Sequence, residues 1–385
     1  MTSLWDNLSR RFQRQYGQAA HALYHAPGRV NLMGASTSAQ NGFVLPCAIG
    51  FGTTLIMAPT RGNKVNAGQS DDPSQQVSWD PDHFPPTSDR DPMWINHIQG
   101  VLMALRARGY RLTGLNIMVH ASLPPGVALE DSASLGVALT YGLNDLFHLG
   151  LSPQGIAQVS QQAKREVNAR QDSLVDPLIS AIASENHATL IDCKTLSWQG
   201  IPMPDSAHLV VFNIQGGMSP HWHLEQERQR QCSQAACYFN QPSLREVSLD
   251  QLNAGRQQMP PQLFRRARHV ISENQRVLAL ADALVQQDYR AIGQLMASSH
   301  QSLSGDFELA SPAIDALVGI TRSALGDQGG VRMNGIGCYG DVVALMPETI
   351  KSAVIKQVMQ EYPKQSELYA TFISTRASSG ACRVR

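Results

Sequence analysis

The chain has 385 residues, 43% of them hydrophobic, which is too long for one ordinary compact core and predicts two domains. Lys plus Arg number 31 and Asp plus Glu number 31. This balance, with no basic stripe interleaved with aromatics, excludes a nucleic-acid-binding surface of the usual kind. No run of ~18 apolar residues occurs, so no membrane-spanning helix is expected. Trp5, Asp6, Arg10, Arg11 and Arg14 leave no room for the apolar core of a secretory signal. Six cysteines without a Cys-x-x-Cys pair suit reduced thiols in a cytoplasmic protein.

In chain order, Leu4, Leu8 and Phe12 recur at helical spacing within residues 4–18. Residues 44–56 are rich in apolar and β-branched residues and read as a strand. Residues 66–93, rich in Pro, Asp, Ser and Gln, mark a loop region. Residues 94–106 read as a helix and 115–121 alternate as a strand. Pro124-Pro125-Gly126 breaks that strand, and helical spacing resumes over about 130–147. Helices are expected over 155–168 and 174–183, then a strand over 208–214. Two long helical stretches follow at 218–240 and 261–303. Glycines 335, 337 and 340 form a second glycine turn before a strand over 342–346. This mixture of strands and helices predicts an α+β or α/β fold.

Each candidate motif has a functional and a structural reading. Residues 126–134, Gly-Val-Ala-Leu-Glu-Asp-Ser-Ala-Ser, open a helix after a strand. Free N–H groups and the positive helix end there could cradle a phosphate. The same residues also describe an ordinary acidic helix N-terminus, capped by Asp or Ser. Glu130 and Asp131 would each repel a phosphate by roughly 1–4 kcal/mol at contact range. Gly335 and Gly337 could approach a ligand or only solve a turn. Asp176, before Pro177, reads equally as a turn or cap residue, and Arg29 as a salt-bridge arginine. His221, His223 and Cys232 match no standard zinc spacing, so no metal site is expected.

Together, these segments resemble galactokinase, of the GHMP small-molecule kinases, over nearly the whole chain. Residues 26–34 (Ala-Pro-Gly-Arg-Val-Asn-Leu-Met-Gly) and 41–49 look like the galactokinase signature, and 124–138 like its phosphate motif. Residues 176–193, 266–274, 299–303 and 329–333 are similar to later family segments. The resemblance implies a two-domain α+β fold with the active site in the cleft between domains. Its domains would span residues 1–180 and 181–385, with the last ~15 residues a candidate for returning to the first. It implies Asp176 as the group that takes or orients the acceptor hydroxyl proton, and Arg29 as its charge-stabilising partner. Nucleotide contacts would fall on Gly126, Ser132, Ser134, Gly335 and Gly337, and sugar contacts on Asp176, Ser36 and Ser38. Mg-ATP would be the cofactor of an active member.

The sequence departs from the family at those contacts. Gly-Glu-His-Thr-Asp-Tyr of the family reads Gly34-Ala35-Ser36-Thr37-Ser38-Ala39 here. A tyrosine near the sugar corresponds to Glu225, and a phosphate-loop glycine to Ala128. The metal-binding glutamate corresponds to Lys164, unless Glu166 replaces it by a shift of register. Ile336 and Tyr339 interrupt the second glycine loop, which ends at Asp341. The changes gather on sugar, phosphate and metal contacts, while residues 43–49 keep the family pattern. The expectation is therefore a galactokinase-like protein with a vestigial site, catalytically impaired or inactive toward galactose, serving as a sensor, regulator or binding partner of another protein. An active kinase with a different acceptor is the alternative. A third reading is an interaction protein that binds neither sugar nor nucleotide.

Overall fold

The computed structural model describes residues 4–85, 92–122, 132–168, 173–214, 222–334 and 341–385. Helix α1 (Leu4–Tyr16) buries Leu8 and Phe12, the face its apolar spacing predicts. Strands β1 (Ala22–Met33) and β2 (Phe43–Pro59) form a long antiparallel pair, with register shifts at Pro27/Gly28 and between Asn31 and Met33. A proline within β1 is accommodated at such an irregularity.

Residues 66–93, expected to be loop, contain most of β3 (Val65–Gln69) and all of β4 (Gln76–Trp79). Strand β4 is short and lies at the edge of the sheet, whereas β3, paired with residues 115–119 on one side and β4 on the other, buries Val65 and Ala67 despite its polar neighbours. Next come α2 (Met93–Ala107), β5 (Leu115–Ala121), α3 (Ser132–Phe147), α4 (Pro153–Asn168) and α5 (Val175–Ile182). The hairpin β6 (His187–Asp192) and β7 (Ser197–Pro202) joins β2 at Phe43 and Val44.

Strand β8 (Ala207–Ile214) begins a second sheet, followed by α6 (Trp222–Tyr238) and α7 (Leu249–Ala254). The stretch 261–303 is two helices, α8 (Pro261–Val285) and α9 (Tyr289–Gly305). They are parted by a turn in which Gln287 takes a φ of 56° and Asp288 caps α9 through the Ala291 N–H. Helix α10 (Pro312–Leu325), β9 (Gly330–Met333), β10 (Asp341–Pro347), α11 (Glu348–Ser366), β11 (Ala370–Thr375) and β12 (Cys382–Arg383) complete the chain.

The larger sheet runs β12-β1-β2-β5-β3-β4, and the second runs β11-β8-β10-β9. Helices α2, α3 and α4 pack on one face of the larger sheet, and α1 covers part of the other. A further apolar cluster joins the two halves: Val30, Leu32, Leu45 and Ile49 pack with Leu209, Val211, Val277 and Val343. Among the described residues, no helix is long and apolar enough to cross a membrane.

Candidate functional site

Arg29 and Asp176 lie 147 positions apart and meet in a two-pronged ion pair. The Arg29 Nε donates to Asp176 Oδ1 at 2.8 Å, and its Nη2 donates to Oδ2 at 2.7 Å. Arg29 sits on β1 beyond the Pro27/Gly28 irregularity. Asp176 sits in the first turn of α5, where a carboxylate and the following Pro177 are both favoured. The Ser180 hydroxyl donates to the Pro27 carbonyl at 2.8 Å, tying α5 to β1. The side chains are 25% and 26% exposed, enough for a small molecule to reach them. An ionised carboxylate has about four acceptor positions, so a pair with arginine leaves room for a ligand hydroxyl.

The loop after β1 is held from behind by α8. Gly34 has a φ of 96°, and a Cβ there would lie 2.7 Å from the Phe43 oxygen and the Val44 Cα. Glycine is required at this position. The N–H groups of Gly34 and Ala35 donate to one oxygen of Glu273, at 3.1 and 3.3 Å. His269 Nε2 faces the Ala35 carbonyl at 3.2 Å, and Asn274 Oδ1 accepts from the Phe43 N–H at 2.9 Å. The Thr37 hydroxyl lies within bonding distance of the Gly34 and Phe43 carbonyls. Ala35 is 3% exposed and belongs to the apolar core around α6 and α8. Ser36, with a φ of 62°, and Ser38 are half-buried. The loop thus has a fixed backbone, and its partly exposed side chains are small hydroxyls.

Burial alone would raise the Glu273 carboxyl. Arg276, Arg332, His269 and the Ser299 hydroxyl outweigh it and hold the group down at about 2. Burial drives His269 the other way from an ordinary histidine, down to about 4, against the pull of Glu273. The imidazole is therefore neutral at pH 7, its Nδ1 2.9 Å from the Ser302 hydroxyl.

On the side expected for nucleotide, Gly126, Glu130, Asp131, Gly335 and Gly337 lie outside the described residues, as does the Ser132 side chain. Ser134 is 1% exposed, with its Oγ 2.8 Å from the Thr53 Oγ1 on β2. Its hydroxyl therefore serves the α3–β2 contact. Lys164 is buried in α4, whereas Glu166 is exposed. Residues two apart on a helix do not share a face, and Glu166 lies on the exposed side of α4, away from the buried position of Lys164. Glu225, in the first turn of α6, is half-buried and accepts from Gln229 Nε2 at 3.2 Å. His221 and the His223 side chain lie outside the described residues. Cys232 is buried, and burial pushes its thiol up to about 12, far from a thiolate ligand. Among the described residues, no three His, Cys, Asp or Glu side chains gather as a metal-binding group.

The sequence reading gave Glu273 and His269 no role. The available signal was their placement among Ala267, Val270, Ile271 and Val277, all on the buried face of α8. Titratable residues on an apolar stripe require buried partners.

Residues 10–59 match the galactokinase galactose-binding signature. Residues 96–183 match the N-terminal domain of the GHMP kinases, and 280–365 match their C-terminal region. Among solved structures, galactokinase of Lactococcus lactis complexed with galactose superposes with a TM-score of 0.89 at 25% identity, covering 99% of this chain and 100% of that one. Mevalonate kinase of Methanococcus jannaschii shares the fold with a TM-score of 0.66 at 13% identity, over 94% and 99% of the two chains. Phosphomevalonate kinase of Streptococcus pneumoniae, solved with phosphomevalonate and AMPPNP, does so at 0.64 and 12%, over 92% and 100%.

Proposed function

We propose, from the premise that the chain belongs to the GHMP kinases as a galactokinase-like member, that it is impaired or inactive toward galactose and serves as a sensor, a regulator or a binding partner of another protein. The observation that carries this reading is the loop 34–38. Its backbone is pinned by Glu273, His269 and Thr37, yet it offers a ligand the hydroxyls of Ser36 and Ser38 and no charged group. Ala35, where the family pattern has a glutamate, points into apolar core. Hydrogen bonds to charged groups contribute about 1.5–3 kcal/mol each. Losing ~4 kcal/mol of them weakens sugar binding nearly a thousandfold.

A magnesium ion does not suit the residue at its expected place. Lys164 stands where the resemblance puts a metal-binding carboxylate, and an ammonium cannot serve as a metal ligand. Ser134, expected to face nucleotide, is engaged with Thr53. The residues at these two positions do not fit Mg-ATP.

The Arg29–Asp176 pair favours a second reading, an active kinase with a different acceptor. In that case Asp176 orients the acceptor hydroxyl and receives its proton, while Arg29 holds the carboxylate in place and stabilises developing charge. One experiment separates the readings: ATP turnover across a panel of sugars, alongside melting with galactose, Mg-ATP and both. The sensor reading expects a galactose-dependent rise in Tm without turnover. Turnover abolished by Asp176→Asn would establish the kinase reading. No shift with any sugar or nucleotide would leave a protein-binding scaffold.

A further inference from the structure

We propose that Glu273 is a built-in anionic ligand, filling a nest of backbone N–H groups at Gly34 and Ala35 and so positioning the ligand-facing loop. This assignment rests on the reading of residues 34–38 as that loop. Two successive N–H groups converge on a single carboxylate oxygen, Oε1, from a segment 239 positions away in the chain. Successive N–H groups in a tight turn form a concavity that binds anions. Here the turn is set by the positive φ of Gly34 and of Ser36 on either side of Ala35.

The rest of the cavity is also an anion receptor. The Ser299 hydroxyl donates to Oε1 at 2.8 Å, and Arg276 Nε donates to Oε2 at 2.7 Å. Arg332, fully buried, reaches within 3.9 Å of Oε1 through Nη2, and its Nη1 donates to the Asn31 carbonyl at 3.0 Å. Two guanidinium groups thus face one carboxylate. Arg332 Nε and Nη2, and Arg276 Nη2, are buried without a hydrogen-bond partner. The surplus of donors means that a cavity emptied of its carboxylate would still attract a small anion. A group that only filled space would leave no such preference. Glu273 is therefore a positioning residue: it touches no ligand, and it fixes the backbone from which Ser36 and Ser38 project.

The test is anion rescue of Glu273→Ala, read without sugar or nucleotide by hydrogen exchange at the Gly34 and Ala35 amides, with β8 as the internal control. Exchange at the two amides should accelerate by about tenfold or more while β8 stays protected. Formate should restore protection in a saturable manner, and the neutral isostere formamide at matched concentration should not. Unchanged exchange at Gly34 and Ala35, or equal rescue by formamide, would overturn the proposal. If Glu273→Ala does not fold, Glu273→Gln keeps the shape and removes the charge. The same two amides should then exchange faster, and wild-type protection in that variant would overturn the proposal as well. These readings need no ligand, so a wild-type protein that fails to bind galactose defeats the functional reading alone.

Discussion

His269 should contribute acid lability below its ordinary titration range, together with the other histidines that burial lowers. The ring is enclosed, with Ser302 on Nδ1 and the Ala35 carbonyl on Nε2. Burial lowers its pKa from 6.5 to about 4. The unfolded chain therefore takes up a proton as pH falls through 6.5, while the folded protein resists until about 4. Stability must fall with pH across that window, because the unfolded state binds more protons there. Between pH 7 and pH 4.5 the loss amounts to about 2 kcal/mol from this group. Glu273 contributes little in this interval, since its depressed pKa moves its loss of stability below 4.5, toward about 2. His25, His208 and His300, also lowered by burial, are present in both wild type and variant, so the difference between the two declines isolates His269. The assay is urea denaturation of wild type and His269→Gln at both pH values. The variant should be less stable at pH 7, having lost ring packing, yet its stability should decline with acid by about 2 kcal/mol less. Parallel declines would refute the assignment of His269 as a buried neutral ring.

Two further outcomes are expected. In a double-mutant cycle of Arg29→Ala and Asp176→Ala, the pair should show a coupling of about 1–3 kcal/mol in chemical denaturation, between the values for exposed and buried pairs. A coupling near zero would mean that the pair does not hold α5 to β1. Gly34→Ala should cost more than ~2 kcal/mol, because a Cβ would collide with backbone at 2.7 Å and the φ of 96° disfavours any other residue. A variant as stable as wild type by thermal melting would contradict that geometry.

The fold was largely readable because its long elements carry strong periodicity. Leu8 and Phe12 fix α1, the apolar run at 44–56 lies within β2, and the expected strand at 208–214 is β8. The short strands β3 and β4 were hidden by the polar residues that surround their few apolar ones, although Val65, Ala67 and Trp79 are buried. The break between α8 and α9 left no proline or glycine to mark it; Gln287 adopts the left-handed conformation instead. The Arg29–Asp176 pair was accessible by resemblance, although neither residue announces a partner 147 positions away. Glu273 was missed for the opposite reason. Its role is to bind backbone, and hydrogen bonds to main-chain N–H groups leave no motif in the residues that receive them.

The return of residues 377–385 ties the site to the whole chain. Cys382 and Arg383 pair with His25 and Tyr24 on β1, and Gly380 lies so close to Ala181 of α5 that a Cβ would sit 2.7 Å from its carbonyl. The Ala381 N–H donates to the Ser180 carbonyl. The strand bearing Arg29 and the helix bearing Asp176 are thus braced by residues translated some two hundred positions after Asp176. The bracing of the pair is complete only once those late residues have been made. Contacts of such large sequence separation are among the slowest to close, so the strand bearing Arg29 and the helix bearing Asp176 are held together by contacts that span most of the chain.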